Sequence, residues 1–393
     1  MAIRCNLNLG ALASLLLAAA LPLSAAGKGT LVIGHCTTMT GSDAYVAPGA
    51  VPALEDEVAR VNAAGGINGY MLKVIAYDSQ GLPAEAVAIT HRFIDQDHVI
   101  AIVGPSNSGS GIPMAKIADA SHVPIIATTA TNVNVTVDET GKVHPYMFRV
   151  CFIDPYQGTA LADYCYSKLG KRQAAFITDV ASPYTVALHQ FFKDRFTQLG
   201  GKVVVDEGYN RGDQEFRAQL AKVKSSKADV LVACADNYKD PGLMAKQAKG
   251  LGLNIQMIGG DGWMIEDILP YAGKELDGSF FTTIASVDDP AFAKFNAEYR
   301  AKHPGKEANV WGYLGLDCMA IIENAIKQVT ANNAAWSQEK FRDAIESTKD
   351  LPVFTAAKFT FEKGTHNPHN KPVLLIEIKD SKFKILESYA PKS

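Results

Sequence analysis

The chain alternates short apolar segments with amphipathic segments of helical length, and this alternation constrains its fold more than any other feature. Leu31–Gly34, Leu72–Tyr77 and Val99–Val103 have the length and composition of strands. The segment that starts near Pro48 places apolar residues at spacings of three and four, which is the period of one helix face. Strands separated by helices of this length predict parallel sheets with helices on both faces.

The alternation runs through the chain twice. The first series of strands and helices ends near Phe148, and the second continues with segments such as the helix at Tyr156–Lys168 and the strand at Val230–Ala233. The last part breaks the pattern, because a long apolar helix over Val310–Val329 precedes strands separated only by turns. The predicted fold class is therefore α/β, with two doubly wound parallel-sheet lobes.

The first 26 residues have the three-part pattern of a secretory signal peptide. Arg4 is their only charged residue, Gly10–Leu23 is almost wholly apolar, and Ser24–Ala26 supplies the small residues of a cleavage site. A transmembrane anchor is the alternative, but the apolar run is shorter than the roughly 20 residues that a spanning helix needs. We therefore expect cleavage near Gly27 and a mature protein in the periplasm.

Charge and length narrow the range of partners. Without its first 26 residues the chain keeps 37 basic and 41 acidic residues, so its net charge is −4. This balance gives no reason to expect nucleic acid or an anionic membrane surface as a partner. The remaining 367 residues suggest two domains at about 150 residues each.

The cysteines give no sign of a metal site. Five follow the signal peptide, and an odd number leaves at least one thiol unpaired in an oxidising compartment. No Cys-x-x-Cys pair and no suitably spaced histidine accompanies them, so we expect no metal ion and no other cofactor. These residues are Cys36, Cys151, Cys165, Cys234 and Cys318.

Ligands of open α/β sheets bind beyond the carboxyl ends of the strands, so the loops after strands are the candidate binding loops. The first is Gly104–Gly111, whose small residues expose backbone N–H groups at the start of a predicted helix. The helix dipole adds positive potential, which suits a carboxylate or a phosphate. The loop lacks the spacing of a Walker motif or of a hydrolase nucleophile turn. An ordinary glycine and serine turn explains it equally well.

Two further loops offer polar or aromatic groups. Thr128–Asn132 presents hydroxyls and carbonyls after a predicted strand, although such a loop can also satisfy only its own backbone. Thr178–Tyr184 ends with a tyrosine that opens a predicted helix and can reach over a cleft. The alternative for that tyrosine is packing at the rim.

The fourth loop is Gly259–Trp263, which follows another predicted strand. A carboxylate between glycines at a strand end can approach a ligand cation closely, and Asp261 holds that position. Trp263 can cover the ligand. The alternative is that Asp261 caps the helix that follows.

In this order, the loops and the segments between them resemble the periplasmic branched-chain amino acid binding proteins of ABC importers. The similarity extends over nearly the whole chain after the signal peptide. Each marker alone is weak, and the ordered set indicates the family. The markers are Ile33–Gly34 with Thr40–Gly41, Asn62–Gly69, Val103–Gly104 with Asn107–Gly109, Ala130–Asn132, Phe148–Arg149, Met244–Ala248 and Gly259–Gly262.

The resemblance implies a type I periplasmic binding protein fold, with lobes joined by a hinge of three chain crossings. The crossings are expected near Tyr146–Phe148, Phe281–Thr283 and Val353–Ala356. The N-terminal lobe would then comprise residues 27–147 and 284–354. The C-terminal lobe would comprise residues 148–283 and 355–393.

The resemblance also implies roles for the binding loops. Ser108 and Thr131 would hold a ligand carboxylate, with help from the backbone around Ser108. The carbonyl of Thr129 and the side chain of Asp261 would hold an ammonium group. Tyr184 would close over the ligand from the second lobe. Further candidate ligand-binding residues are Tyr45, Ala130, Asn237 and Trp263.

The expected function is that of a solute-binding protein of an ABC importer, which captures an amino acid with a branched-chain or other apolar side chain by hinge closure. Its partners would be the permease and ATPase subunits, and the protein itself would be a monomer. The alternatives are an aromatic or other small carboxylate as ligand, or a role as a ligand-sensing periplasmic receptor. An enzyme is not expected, because no His, Cys or Ser constellation has a catalytic spacing.

Overall fold

Strands and helices alternate along the chain as the sequence predicts. The computed structural model describes residues 28–265 and 267–389, so the predicted signal peptide lies outside the described residues. The strands are β1 (Gly29–Thr37), β2 (Tyr70–Asp78), β3 (Ala101–Val103), β4 (Ile125–Ala127), β5 (Met147–Arg149), β6 (Gln173–Asp179), β7 (Lys202–Tyr209), β8 (Val230–Cys234), β9 (Gln256–Gly259), β10 (Phe280–Thr283), β11 (Leu351–Val353), β12 (Ala356–Phe359), β13 (Val373–Lys379) and β14 (Lys382–Tyr389).

The helices cover the faces of two sheets. Among the described residues, no helix combines the length and apolar character needed to cross a membrane. The helices are α1 (Ala47–Ala63), α2 (Pro83–Asp95), α3 (Ser108–Ser121), α4 (Asp154–Ser167), α5 (Pro183–Gln198), α6 (Arg217–Ser225), α7 (Lys239–Gly250), α8 (Ile268–Ala272), α9 (Ala293–Lys302), α10 (Val310–Val329) and α11 (Gln338–Glu346).

Two separate main sheets confirm the predicted α/β fold class. The first has five strands in the order β2-β1-β3-β4-β5, all parallel. The second has seven strands in the order β14-β13-β10-β9-β8-β6-β7. The central strands β3, β4 and β8 are buried along their whole length, as expected for parallel strands covered by helices on both faces.

The second sheet is not parallel throughout. Strand β13 pairs antiparallel with both β10 and β14. Asp380 and Ser381 between β13 and β14 have φ values of 52° and 55°, and a two-residue hairpin turn requires such left-handed residues. Two of the strands predicted after the long apolar helix thus extend one edge of this sheet, while β11 and β12 form a separate antiparallel pair.

The chain passes between the two sheets three times. It leaves the first sheet after β5, returns beside it after β10, and joins the second sheet again at β13. Helix α10 holds the returning chain beside the first sheet by packing against α1. The contact is so close that a Cβ on Gly312 would lie 2.5 Å from the carbonyl oxygen of Gly49. The residue boundaries given above for the two lobes stay a prediction.

A buried carboxylate joins segments near two of these crossings. Asp317 of α10 accepts a hydrogen bond from the Thr355 backbone N–H at 2.8 Å, and its Oδ2 lies 3.4 Å from Lys371 Nζ. Burial raises the pKa of Asp317, whereas the charge of Lys371 and the bonds from Thr355 lower it. Asp317 therefore ties α10 to the chain that leads into β12 and β13.

Candidate ligand-binding site

Loops from the carboxyl ends of both sheets surround one cavity. The strand order reverses where β1 borders β3 and where β6 borders β8, and ligands of α/β sheets bind at such points. The cavity encloses ≈ 580 Å³ of empty space, part of which is open to solvent. It is lined by Asp43, Tyr45, Val46, Ser106, Asn107, Ser108, Thr129, Tyr184, Asp236, Asp261, Gly262, Met264, Thr283, Ile284, Val310 and Trp311.

The N-terminus of α3 forms an anion-binding wall of the cavity. The helix begins at Ser108, and Asn107 caps it by accepting a hydrogen bond from the Ser110 N–H at 2.8 Å. The Ser108 hydroxyl oxygen accepts from the Asn132 N–H at 3.1 Å, so its own proton remains available for a ligand. First-turn amides have no partner within a helix, and the dipole favours negative charge there. This wall suits a carboxylate.

Asp261 forms another wall of the cavity, and this wall favours a cation. Its Oδ1 is buried and has no hydrogen-bond partner among the described residues. Burial raises the pKa of this carboxyl to about 6, while Gln157 and Tyr184 act in the opposite direction. A buried carboxylate without a cation is costly, so a ligand cation at this wall would be stabilised strongly.

The glycines around Asp261 allow its close packing. A Cβ on Gly260 would collide with the Tyr184 hydroxyl, and one on Gly262 would collide with the Ala235 carbonyl. The Gly262 N–H donates to the Tyr184 hydroxyl oxygen at 3.0 Å. Tyr184 therefore lines the cavity and also supports the loop that carries Asp261.

A second buried carboxyl lies near Asp261. Asp154 Oδ1 accepts a hydrogen bond from Gln157 Nε2 at 2.9 Å, while Oδ2 has no partner among the described residues. Burial raises the pKa of Asp154 to about 7, with the Thr131 hydroxyl lowering it and the charge of Asp261 raising it. Asp154 thus adds negative potential behind the wall that Asp261 forms.

The structure brings five of the predicted site residues to one cavity. Ser108 and Thr129 come from loops of the first sheet, and the Thr129 hydroxyl donates to the Ser106 carbonyl at 2.5 Å. The other three are Tyr45, Tyr184 and Asp261. Their predicted roles toward a carboxylate and an ammonium group stay predictions.

Trp263 requires a correction, because it does not cover the cavity. The side chain is fully buried, and its Nε1–H donates to the carbonyl of Ala233 at 3.1 Å. A Cβ on Gly259 would collide with the indole ring. The tight turn at 261–263 directs this ring back into the core beneath β9.

Ala130 and Thr131 also lie behind the cavity wall and do not line it. Both are buried, and the Ala130 carbonyl accepts a hydrogen bond from Arg149 Nη1 at 2.8 Å. Arg149 is itself fully buried, and its Nη2 donates to the Thr136 hydroxyl at 2.9 Å. The guanidinium therefore holds this loop in place from the core side. This contact gives Arg149, part of the segment Phe148–Arg149 that contributes to the family resemblance, a structural role.

Asn237 is a further correction. Its Nδ2 donates to Asp240 Oδ2 at 3.0 Å, and its Oδ1 accepts from the Lys239 N–H at 2.9 Å, so the amide is used within its own turn. The neighbouring Asp236 lines the cavity instead. Asp236 lies two residues after the end of β8, so the rule that ligands bind at strand ends could have identified it.

The lobes meet across the cavity. Asn132 Nδ2 donates to the Pro183 carbonyl at 2.9 Å, which joins the loop after β4 to the start of α5. The rings of Tyr45 and Tyr238 meet edge to face with centroids 5.3 Å apart. These contacts join the two lobes beside the cavity.

The described residues give no sign of metal or disulfide chemistry. No group of His, Cys, Asp or Glu side chains within residues 28–265 and 267–389 is arranged to hold a metal ion. All five cysteines of this part of the chain are free and buried. Burial raises the pKa of the Cys36 and Cys151 thiols to about 12, which keeps them protonated and unreactive.

Comparison with known proteins places the chain among solute receptors. The family described as periplasmic binding protein matches residues 30–382. A Pseudomonas aeruginosa protein named amino acid binding protein is 34% identical over 255 residues. The match covers 64% of this chain and 66% of that protein, which is just under two thirds of its length. The Leu/Ile/Val-binding protein homolog 2 of Brucella abortus is 29% identical over 352 residues, which are 88% of this chain and 90% of that protein.

A solved structure supports the same assignment. The branched-chain amino acid transporter substrate binding protein LivJ from Streptococcus pneumoniae, in complex with isoleucine, is 29% identical with a TM-score of 0.80 and covers 92% of this chain and 100% of that one. Proteins of this family are substrate-binding proteins of the ABC transporter type and not enzymes. The chain belongs to the periplasmic binding protein family, and it is similar to branched-chain amino acid binding proteins of that family.

Proposed function

We propose that the protein captures a free α-amino acid between its lobes and delivers it to an ABC importer. The proposal rests on two walls of one cavity, one of which favours an anion and the other a cation. Ser108 at the N-terminus of α3 offers hydrogen-bond donors, and Asp261 offers an unpartnered buried carboxylate oxygen. A zwitterion with adjacent carboxylate and ammonium groups satisfies both walls at once.

Hinge closure is expected because the two walls belong to different lobes. Ser108 follows a strand of the first sheet, and Asp261 follows a strand of the second. A ligand held by both residues bridges the lobes, so it binds the closed form more tightly than the open form and shifts the population toward it. The closed form is then the one that the importer would recognise, through its permease subunits.

The proposed location is the periplasm. Residues 1–26 have the pattern of a cleaved signal peptide, and the family is periplasmic. A ligand-sensing receptor in the same compartment would use the same cavity and the same closure. The importer is favoured because similar proteins include transporter substrate-binding proteins, such as LivJ of Streptococcus pneumoniae.

An aromatic or other simple carboxylate suits the cavity less well. Such a ligand would bond at the N-terminus of α3 and leave Asp261 Oδ1 buried without a cation. An unpaired charge in a closed cavity opposes binding.

Calorimetric titration of the purified protein tests the proposed function. The panel contains α-amino acids with apolar, polar and charged side chains, their des-amino carboxylic acids, and aromatic acids. We expect an α-amino acid to bind and its des-amino analogue to bind much more weakly. A ligand that binds only the folded protein should also raise its stability, by about 2.7 kcal/mol at a hundredfold excess over Kd. Preference for an aromatic acid over every amino acid would contradict the proposal.

Replacing Ser108 by alanine should weaken ligand binding by about 1–3 kcal/mol, because the ligand carboxylate loses a charge-assisted hydrogen bond. The matched control is Ser110→Ala on the same helix, since this hydroxyl is buried and does not line the cavity. Calorimetry should show reduced affinity for Ser108→Ala and native affinity for Ser110→Ala. Equal affinities of the two variants would show that the carboxylate does not bind at Ser108.

A further inference from the structure

The cavity has a second acidic region besides Asp261. Asp43, in the loop after β1, and Asp236, at the end of β8, both line it, and they come from opposite sides of the cleft. Arg211 forms an ion pair with Asp236, and its Nε lies 3.7 Å from Asp179 Oδ2. The charge of Arg211 also acts on Asp43. Three carboxyl groups therefore share one guanidinium.

Asp43 has an unused carboxylate oxygen. The residue is 8% exposed, and its Oδ1 is buried with no hydrogen-bond partner among the described residues. The other cation that acts on Asp43 is Lys239, whose residue is exposed to solvent and therefore screened. A buried acceptor that faces a binding cavity without a partner indicates a ligand group that donates to it.

The balance of charge at this end also favours a cation. Burial raises the pKa of Asp236 to about 7, and it raises the pKa of Asp43, although Arg211 lowers both. One guanidinium therefore acts on three carboxyl groups, so acidic groups are in excess at this end of the cavity. A neutral donor would satisfy Asp43 Oδ1 but leave the excess negative charge, whereas a cation would do both.

The remaining walls fit an alkyl chain that ends in a cation. Val46, Met264, Ile284 and Val310 supply apolar surface to the cavity. Tyr45 and Trp311 add two aromatic rings with centroids 5.3 Å apart, and Asp43 and Asp236 both act on the Tyr45 hydroxyl, which places this ring at the acidic end. Aromatic faces stabilise a desolvated cation further.

We infer that the cavity takes α-amino acids whose alkyl side chain ends in a positive charge, and that Asp43 and Asp236 bind this charge. The inference rests on the proposed function, because it names the side chain of the same zwitterionic ligand. It differs from the apolar side chain expected from the sequence. A purely aliphatic ligand would fill the cavity and leave Asp43 Oδ1 without a hydrogen-bond partner.

Two matched ligand pairs test this inference on the native protein. Ornithine and norvaline share one carbon chain, lysine and norleucine share another, and within each pair only the terminal ammonium group differs. Calorimetry should show that the ammonium group improves affinity by about tenfold or more in at least one pair. Tighter binding of norvaline and norleucine than of their cationic partners would overturn the inference and leave the proposed function standing. Absence of binding by any α-amino acid would overturn both.

Asp43→Asn keeps the shape of the side chain and removes its charge. We expect this variant to lose most of the preference for the ammonium-bearing member of the pair. The control is Asp213→Asn, which removes an equal charge from an exposed residue that bonds the Asn210 N–H at 2.9 Å and does not line the cavity. Its preference should match that of the native protein. A native preference in Asp43→Asn would exclude Asp43 as the binding group.

Discussion

Asp261→Asn should weaken binding of the α-amino acid by about 3–5 kcal/mol, or several hundredfold and more. In the closed cavity the ligand ammonium group is removed from water and must be paired. The carboxylate of Asp261 provides that partner through a buried oxygen with no other hydrogen bond among the described residues. The asparagine keeps the shape and removes the charge, so the buried ammonium group would lose its direct counter-charge.

Three measurements separate this role from a structural one. The melting temperature of Asp261→Asn should stay close to that of the native protein, and a des-amino analogue should lose much less affinity than the amino acid does. Asp267→Asn, an exposed carboxylate shortly after the same loop, is the control and should bind normally. Native affinity for the amino acid in Asp261→Asn would remove the ammonium site and favour a simple carboxylate ligand.

The carboxyl group of Asp261 should also make the affinity for the amino acid depend on pH. The pKa of Asp261 in the ligand-free protein is raised to about 6, mainly by burial. The carboxyl must be ionised to bind an ammonium group, so native affinity should fall as the pH drops through about 6. Asp261→Asn should lack this part of the pH dependence.

Trp263→Ala should lower the free energy of unfolding by about 3–5 kcal/mol, because it leaves a large cavity in the core. The indole ring is fully buried, and its Nε1–H bonds the Ala233 carbonyl. Urea unfolding measures the loss. Trp336→Ala is the comparison, since Trp336 is half-buried and packs against Phe341, and it should cost less.

Affinity distinguishes the core role of Trp263 from a ligand-covering role. Trp263→Phe keeps most of the buried ring and loses the hydrogen bond to Ala233, so it should be moderately destabilised and still bind the amino acid. Strong loss of affinity in Trp263→Phe at native stability would mean that the ring contacts the ligand after all.

Much of the fold follows from local pattern. The helix predicted over Val310–Val329 has the same bounds in the structure, because its apolar face is long and continuous. The strands predicted after this helix are represented by β13 and β14, whose alternating and apolar residues are bounded by turn residues. The helices α8, α9 and α11 were not predicted, and α8, with five residues, is too short to show a helical period.

Side-chain direction within the binding loops was not predictable in the same way. Asp261 and Trp263 lie two residues apart in one tight turn, yet Asp261 faces the cavity and Trp263 faces the core. Asn237 and Asp236 are adjacent, and only Asp236 lines the cavity. Local composition specifies that a loop is polar, while backbone turn geometry and packing decide which of its side chains turns inward.

The sequence by itself determined the α/β class, the strand-end position of the binding loops and the family, because hydrophobic periodicity and ordered motifs are local properties of the chain. Only the tertiary structure revealed that Asp43 and Asp236 share Arg211 at one end of the cavity. These residues are far apart in sequence, and no motif links them. They come together only when the two sheets face each other across the cavity, and burial between the sheets makes the interactions of these carboxyl groups stronger than they would be in water.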